Sequence, residues 1–185
     1  MNSGPRTVYL IVTAAPPVLG ITHLIDLLRS AGWQVCLVAT PIAASWMNLD
    51  DLTTRRGTLI RTEASPPGQR DSLPRADAVL VAPATFNTIN KWAHGISDNL
   101  ALGLLNELLG TEVPIVVVPC VKEHLRKHPA YQTSLETLLA AHVTAMNPDD
   151  VTTRSPDGLA DFHWHTIIST FTRVATATAP PELPA

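Results

Sequence analysis

The sequence predicts an α/β domain, doubly wound, with a parallel sheet between two layers of helices. Four short apolar runs rich in β-branched residues recur along the chain, segments with helical spacing separate them, and charge is scarce throughout. Strands covered on both faces read as continuous apolar runs. Their alternation with helical segments gives a three-layer α/β/α arrangement in a single domain.

Val8-Tyr9-Leu10-Ile11-Val12 is the first strand, and it ends in Thr13-Ala14-Ala15-Pro16-Pro17. Ile21, Leu24, Ile25 and Leu28 follow at helical spacing between about Gly20 and Ser30, and Gly32 closes that helix. Residues 34–39 (QVCLVA) form the second strand, followed by Thr40-Pro41 and a short helix through Trp46 and Met47. Residues 78–82 (AVLVA) and 113–118 (VPIVVV) are the third and fourth strands. Two polar stretches containing proline, 62–74 and 147–160, read as loops. Phe162, His165, Ile168 and Phe171 predict a last helix; the domain is expected over residues 1–178, with 179–185 (APPELPA) as a frayed tail.

Of 185 residues, 45% are apolar and 16% charged, with a net charge of −3. Soluble domains average about 25% charged residues, so the chain is short of charge, while its apolar share excludes a disordered chain. The balance argues against nucleic-acid binding, which calls for a basic surplus. Two uncharged stretches, 7–25 and 30–49, are broken by Pro16-Pro17 and by Gly32 and Pro41, so neither is expected to span a membrane. The apolar run 8–12 is also shorter than the core of a signal peptide. Cys36 and Cys120 lie in apolar runs outside any CxxC pair, which predicts free thiols in a cytoplasmic protein. So little charge predicts that part of the surface is covered by further copies of the chain or by a ligand.

In open parallel sheets a ligand lies beyond the carboxyl ends of the strands. Here those ends, 13–17, 39–42, 83–88 and 119–121, are poor in charge and hold Pro, Ala, Thr and Asn. Neither GxGxxG nor a P-loop is present. A phosphate would be held by backbone N–H groups, hydroxyls and helix N-termini. Residues 83–100 (PATFNTINKWAHGISDNL) are the most informative stretch: a strand-to-helix turn with Thr85 or Asn87 near an N-cap.

Over these eighteen consecutive positions the chain resembles the homo-oligomeric flavin-containing cysteine decarboxylases, whose signature reads roughly PA(S/T)ANTIxKxAxGI(A/C)DNL. That family includes phosphopantothenoylcysteine decarboxylases and the peptidyl-cysteine decarboxylases of ribosomal peptide biosynthesis. Strand order and loop positions extend the likeness over about residues 7–145. The resemblance implies a Rossmann-like or flavodoxin-like fold, FMN as cofactor with FAD as the alternative, and assembly into trimers or dodecamers. It also implies oxidation of a peptide's C-terminal cysteine to a thioaldehyde, whose loss of CO2 leaves an enethiol. Cofactor loops then fall at Ala14, Ala15 and Pro16; at Thr40 and Ile42; and at Pro83, Ala84, Thr85, Phe86, Asn87 and Thr88, with Cys120 at the position after the family's fifth strand. Flavin sites of this family form at subunit contacts, so neighbours and cofactor would cover the charge-poor loops and residues 92–105.

Three departures stand out. The family's base is a histidine fourteen residues before the motif's proline; that position is Gln69, which hydrogen-bonds but takes no proton near neutral pH. No histidine lies between His23 and His94. His94, inside the motif, is the candidate substitute for proton transfer, with interface packing as the plain alternative, and Asn87 is the retained site residue. The family's substrate motif, PxMNxxMWxxP, is PCVKEHLRKHP at 119–129, so Val121, Lys122 and Arg126 occupy its substrate-binding positions. This basic segment is either a solvated helix face or a site for a carboxylate such as a peptide C-terminus. No cysteine follows Cys120, so the flap cysteine of the phosphopantothenoylcysteine enzymes has no counterpart. No set of metal ligands is expected: His124 and His128 lack a third partner, and His163 and His165 would face different sides of a helix. The expected function is decarboxylation of a C-terminal cysteine. The alternatives are a catalytically altered flavin-binding partner protein and a phosphopantothenoylcysteine decarboxylase-like enzyme. A flavin prenyltransferase is disfavoured because the first loop reads TAAP.

Overall fold

The computed structural model describes residues 5–55, 57–66, 68, 73–157 and 159–177. Strand β1 (Arg6–Val12) leads through a 3-10 turn (Pro16–Gly20) into helix α1 (Ile21–Ser30). β2 (Trp33–Ala39) is followed by α2 (Pro41–Ser45), a π turn (Asp51–Arg55) and β3 (Leu59–Arg61). β4 (Ala78–Ala84) precedes α3 (Phe86–Ala93) and α4 (Leu100–Leu109); β5 (Ile115–Pro119) precedes α5 (Glu123–Arg126) and α6 (Pro129–Ala140). After β6 (Thr144–Ala145) come α7 (Pro148–Val151), β7 (Thr152–Arg154), β8 (Ala160–Phe162) and α8 (Trp164–Ala177). The six-stranded sheet runs β3-β2-β1-β4-β5-β6 and is parallel throughout, as a Rossmann-like fold requires.

Alternate residues of each strand serve opposite layers. In β1, Val8, Leu10 and Val12 pack towards α1 and α8, with Leu24, Leu28, Ile167 and Phe171. Tyr9 and Ile11 pack towards α3, α4 and α6, with Ile89, Trp92, Leu105 and Leu138. Both layers are apolar, so the strand shows no polar alternation. Trp92 is buried and donates from Nε1 to Leu105 O at 3.2 Å, tying α3 to α4.

The four expected strands form, although the fourth starts at Ile115 rather than Val113. Pro114 has no N–H and contributes only its carbonyl, which accepts from Val79 N–H at 2.9 Å. Edge strands β3 and β6, of three and two residues, escaped sequence reading because they are too short to show a period. The expected loop at 147–160 is corrected: it holds α7 and most of an antiparallel hairpin, β7 with β8. Ala160 and Phe162 are buried on either side of exposed Asp161, the period-2 pattern of a strand. Phe162 therefore belongs to the hairpin rather than to the last helix, and His163 also precedes α8. Gln69 and the tail 179–185 lie outside the described residues. Cys36 and Cys120 are free thiols. No described helix is long and apolar enough to cross a membrane.

The carboxyl ends of the strands are joined by hydrogen bonds. Thr13, 1% exposed, donates from Oγ1 to Pro83 O at 2.8 Å and accepts from Thr85 N–H at 2.9 Å. Its own N–H donates to Pro83 O at 3.1 Å, while Thr40 N–H donates to Val12 O at 3.0 Å and Cys120 N–H to Ala84 O at 2.8 Å. The ends of β1, β2, β4 and β5 thus form one connected rim.

Thr13→Val keeps the shape but leaves the Thr85 N–H without its acceptor; urea unfolding is expected to show a loss of about 1–3 kcal/mol, and Thr13→Ser much less. Burial pushes the Cys36 thiol from 9.0 up to about 11, against a smaller opposing effect of Arg61. The folded chain therefore keeps this proton to higher pH than the unfolded chain, and its contribution to stability, present below about pH 9, is lost as pH rises towards 11. Urea midpoints taken across that window are expected to fall less steeply in Cys36→Ala than in the native chain.

Candidate functional site

The strand order reverses between β1 and β4, because the chain proceeds outwards to β2 and β3 on one side and to β5 and β6 on the other. Such a point opens a crevice at the carboxyl ends, and a cavity of about 500 Å³ lies there. The end of β1 contributes Thr13 and Ala14, and the end of β2 contributes Thr40, Pro41 and Ile42. Thr85, Asn87, Thr88 and Lys91 come from the start and body of α3, and Asp98 and Asn99 from the turn before α4.

Three of these side chains are helix caps. Thr40 Oγ1 accepts from Ala43 N–H at 3.4 Å, Thr85 Oγ1 from Thr88 N–H at 3.3 Å, and Asn99 Oδ1 from Leu102 N–H at 3.1 Å. The Thr85 and Thr88 hydroxyls are 3.0 Å apart. One capped N–H leaves others of the first turn of α3 without a partner in the helix, at its positive end. The single cation of the lining, Lys91, is ion-paired with Asp98. The cavity is therefore rich in hydroxyls, amides and N–H donors but poor in net charge.

Among the residues expected to hold a cofactor, Ala14, Thr40, Ile42, Thr85, Asn87 and Thr88 share this cavity. Ala15, Pro83 and Ala84 are buried behind the rim, and Pro16 opens the 3-10 turn. Phe86 packs instead against α6, its ring stacked on Tyr131 at 6.3 Å and edge-on to His128 at 5.6 Å. Cys120 is half-buried at the end of β5, its thiol raised by burial against the lowering effect of the Arg154 guanidinium. His94 is exposed at the far end of α3, with Nδ1 2.8 Å from Asn90 O, and does not line the cavity. Thr13, Lys91, Asp98 and Asn99 were not singled out from the sequence. The last three stand inside the stretch 83–100, whereas Thr13 reveals itself only by bonding to residues some seventy positions away.

A second cavity, of about 470 Å³, opens beside the end of β5. Val121, Lys122 and Arg126, the expected substrate positions, all line it, though Val121 is buried. The hairpin region adds Asp149, Thr152 and Arg154, which reading 147–160 as a loop had not foreseen. Arg126 Nη1 pairs with Asp149 Oδ2 at 2.9 Å, and Arg154 Nη2 donates to Val121 O at 3.0 Å. Tyr131, under Phe86, has its phenol raised by burial.

The hydroxyl, amide and N–H donors of the first cavity, beside the apolar Ala14 and Ile42, fit a ligand with a phosphate tail, a hydroxylated chain and a flat ring edged with donors and acceptors. That is the chemistry of a flavin nucleotide.

Known proteins agree. The epidermin decarboxylase of Staphylococcus epidermidis is 28% identical over 138 residues, 74% of this chain and 75% of that protein. The coenzyme A biosynthesis bifunctional protein CoaBC of Bacillus subtilis is 29% identical over 139 residues, 72% of this chain. The chain spans only 34% of that relative's length. The crystal structure of TvaF, an FMN-dependent cysteine decarboxylase from thioviridamide biosynthesis, has the same fold, with a TM-score of 0.74 at 21% identity over 94% of this chain and 99% of that one. The resemblance carried by residues 83–100 holds, and it extends well beyond them. With the Flavoprotein family model matched over residues 1–176, on top of this fold and its switch-point cavity, the chain belongs to the Flavoprotein family.

Proposed function

We propose that the protein binds FMN in the switch-point cavity and decarboxylates the C-terminal cysteine of a ribosomally made peptide, oxidising it to an enethiol. The observation that carries this reading is the pairing of two unlike cavities on neighbouring strand ends. One, poor in charge, suits a flavin; the other, cationic, suits a carboxylate. Epidermin decarboxylase and TvaF support it, and a variant of the peptidyl-cysteine decarboxylase EpiD has been crystallised with the substrate peptide DSYTC.

Thr40, Thr85 and Thr88, with the first-turn N–H groups of α3, would hold the phosphate and hydroxylated chain, and the Asn87 amide would meet the polar ring edge. Ala14 and Ile42 give the ring an apolar wall. Bound flavin would supply a two-electron oxidation of the cysteine, which makes its carboxylate a good leaving group as CO2. The chain's own part is to orient the cysteine and bind that carboxylate with the cationic side chains of the second cavity. Gln69 can orient but not deprotonate, so the thiol proton passes to solvent or to His94. Seven residues of helix separate His94 from Asn87, roughly 10 Å along the axis, so His94 would serve the cavity of a neighbouring copy. This agrees with a cytoplasmic homo-oligomer, a trimer or dodecamer, whose contacts cover the charge-poor loops. The replacement of the family's histidine by Gln69 favours one second reading: a flavin-binding partner that no longer catalyses the reaction itself.

Titration with FMN, followed by quenching of flavin fluorescence, is expected to show stoichiometric binding. Asn87→Ala, an exposed change, should weaken it about tenfold. Peptides ending in cysteine should lose the mass of CO2 plus two hydrogens. Failure to take up any flavin would overturn the proposal, and uptake without mass loss from any such peptide would leave the partner reading.

A further inference from the structure

We propose that the cavity beside β5 selects peptides in which an acidic residue, Asp or Glu, immediately precedes the terminal cysteine. This rests on the reading of a cysteine-ended substrate and adds a rule about its sequence. The charge inventory of the cavity leads to it. Asp149 neutralises Arg126 at 2.9 Å, and Glu123 neutralises Lys127 at 2.7 Å. Lys122 and Arg154 are left, among the described residues, without a carboxylate at ion-pair distance, and both line the cavity. A terminal carboxylate brings one negative charge, whereas two positive charges, Lys122 and Arg154, lie outside those two ion pairs, with Asp149 near enough to Arg154 to feel its charge without pairing with it. A second anionic group on the ligand completes the match, and complementary charge of this kind sets specificity more than raw affinity.

Position orders the two cations. Arg154 is held by its bond to Val121 O at 3.0 Å and lies against Cys120, at the end of the strand whose neighbour, β4, leads into the flavin cavity. These bonds hold it at the β5 end, on the side nearer the flavin cavity, where the reacting cysteine's carboxylate would sit. Both cations are exposed, but Lys122 has no such anchor: it stands one residue beyond buried Val121 and would face the part of the peptide that comes before the cysteine. His124, also in the lining, adds an imidazole to the same outer side. Arg154 is thus the carboxylate-binding residue and Lys122 the specificity-determining one, while Arg126, tied to Asp149, shapes the wall between them.

The test uses the FMN-loaded protein and three fluorescein-labelled hexapeptides identical but for their last two residues, Glu-Cys, Gln-Cys and Lys-Cys. Binding is read by anisotropy and turnover by mass. The Glu-Cys peptide is expected to bind about tenfold more tightly than Gln-Cys, with Lys-Cys weakest, and the preference should shrink as salt rises. Lys122→Glu should invert the order, while Arg154→Met should weaken all three alike. If all three peptides bind and lose CO2 equally, the proposal falls and the decarboxylase reading stands. Discrimination in binding without mass loss upholds the selectivity and removes the enzymatic reading. Failure of every peptide to bind overturns both.

Discussion

One buried hydroxyl holds the working end of this protein together. Thr13 both donates and accepts across the junction of β1 and β4, joining the end of the first strand to the start of α3. The crevice between those strands is where the two halves of the fold diverge, and the Thr13 hydroxyl, together with the Thr13 N–H bond to Pro83 O, brings Ala14 to Thr85 beyond the β1–β4 pairing. A hydroxyl suits the place because it can take both roles at once, and burial makes an unmet partner costly. The caps at Thr40, Thr85 and Asn99 then start three helices around the same opening.

The distribution of charge follows from that architecture. Parallel strands covered on both faces leave little room for ionised groups in the body of the domain. In the first cavity the one cation is matched by Asp98, and the surroundings are hydroxyls and backbone dipoles. Cationic character gathers at the next strand end, where α5 and the β7–β8 hairpin meet. Neutral donors and cationic side chains thus gather at the ends of adjacent strands of one sheet. Scarcity of charge, which stands out in the composition, reflects a large buried sheet and a rim lined with neutral donors.

Much of this was legible in the residues. The apolar runs at 8–12, 34–39 and 78–82 each became a central strand, since no other structure buries so short a β-branched run on both sides. The stretch 83–100 was legible because its polar residues cluster at a helix start, where capping chemistry limits the choices. Strands β3 and β6 were not, because edge strands of two or three residues carry no period. Nor was the hairpin: β7 and β8 depend on pairing with each other, and the segment between them is polar and rich in turn-forming residues.

By itself the sequence determined the class of fold, the end of the sheet where the switch-point cavity opens, and the family, because burial patterns and caps are local properties of the chain. Only the tertiary structure decided which side chains meet. It turned Phe86 towards α6, left His94 at the far end of α3, and brought Thr13 to Pro83 and Arg154 to Val121. Those pairings span from a few tens of residues to seventy, a separation at which no local preference acts, and they exist only once the strands have found their order.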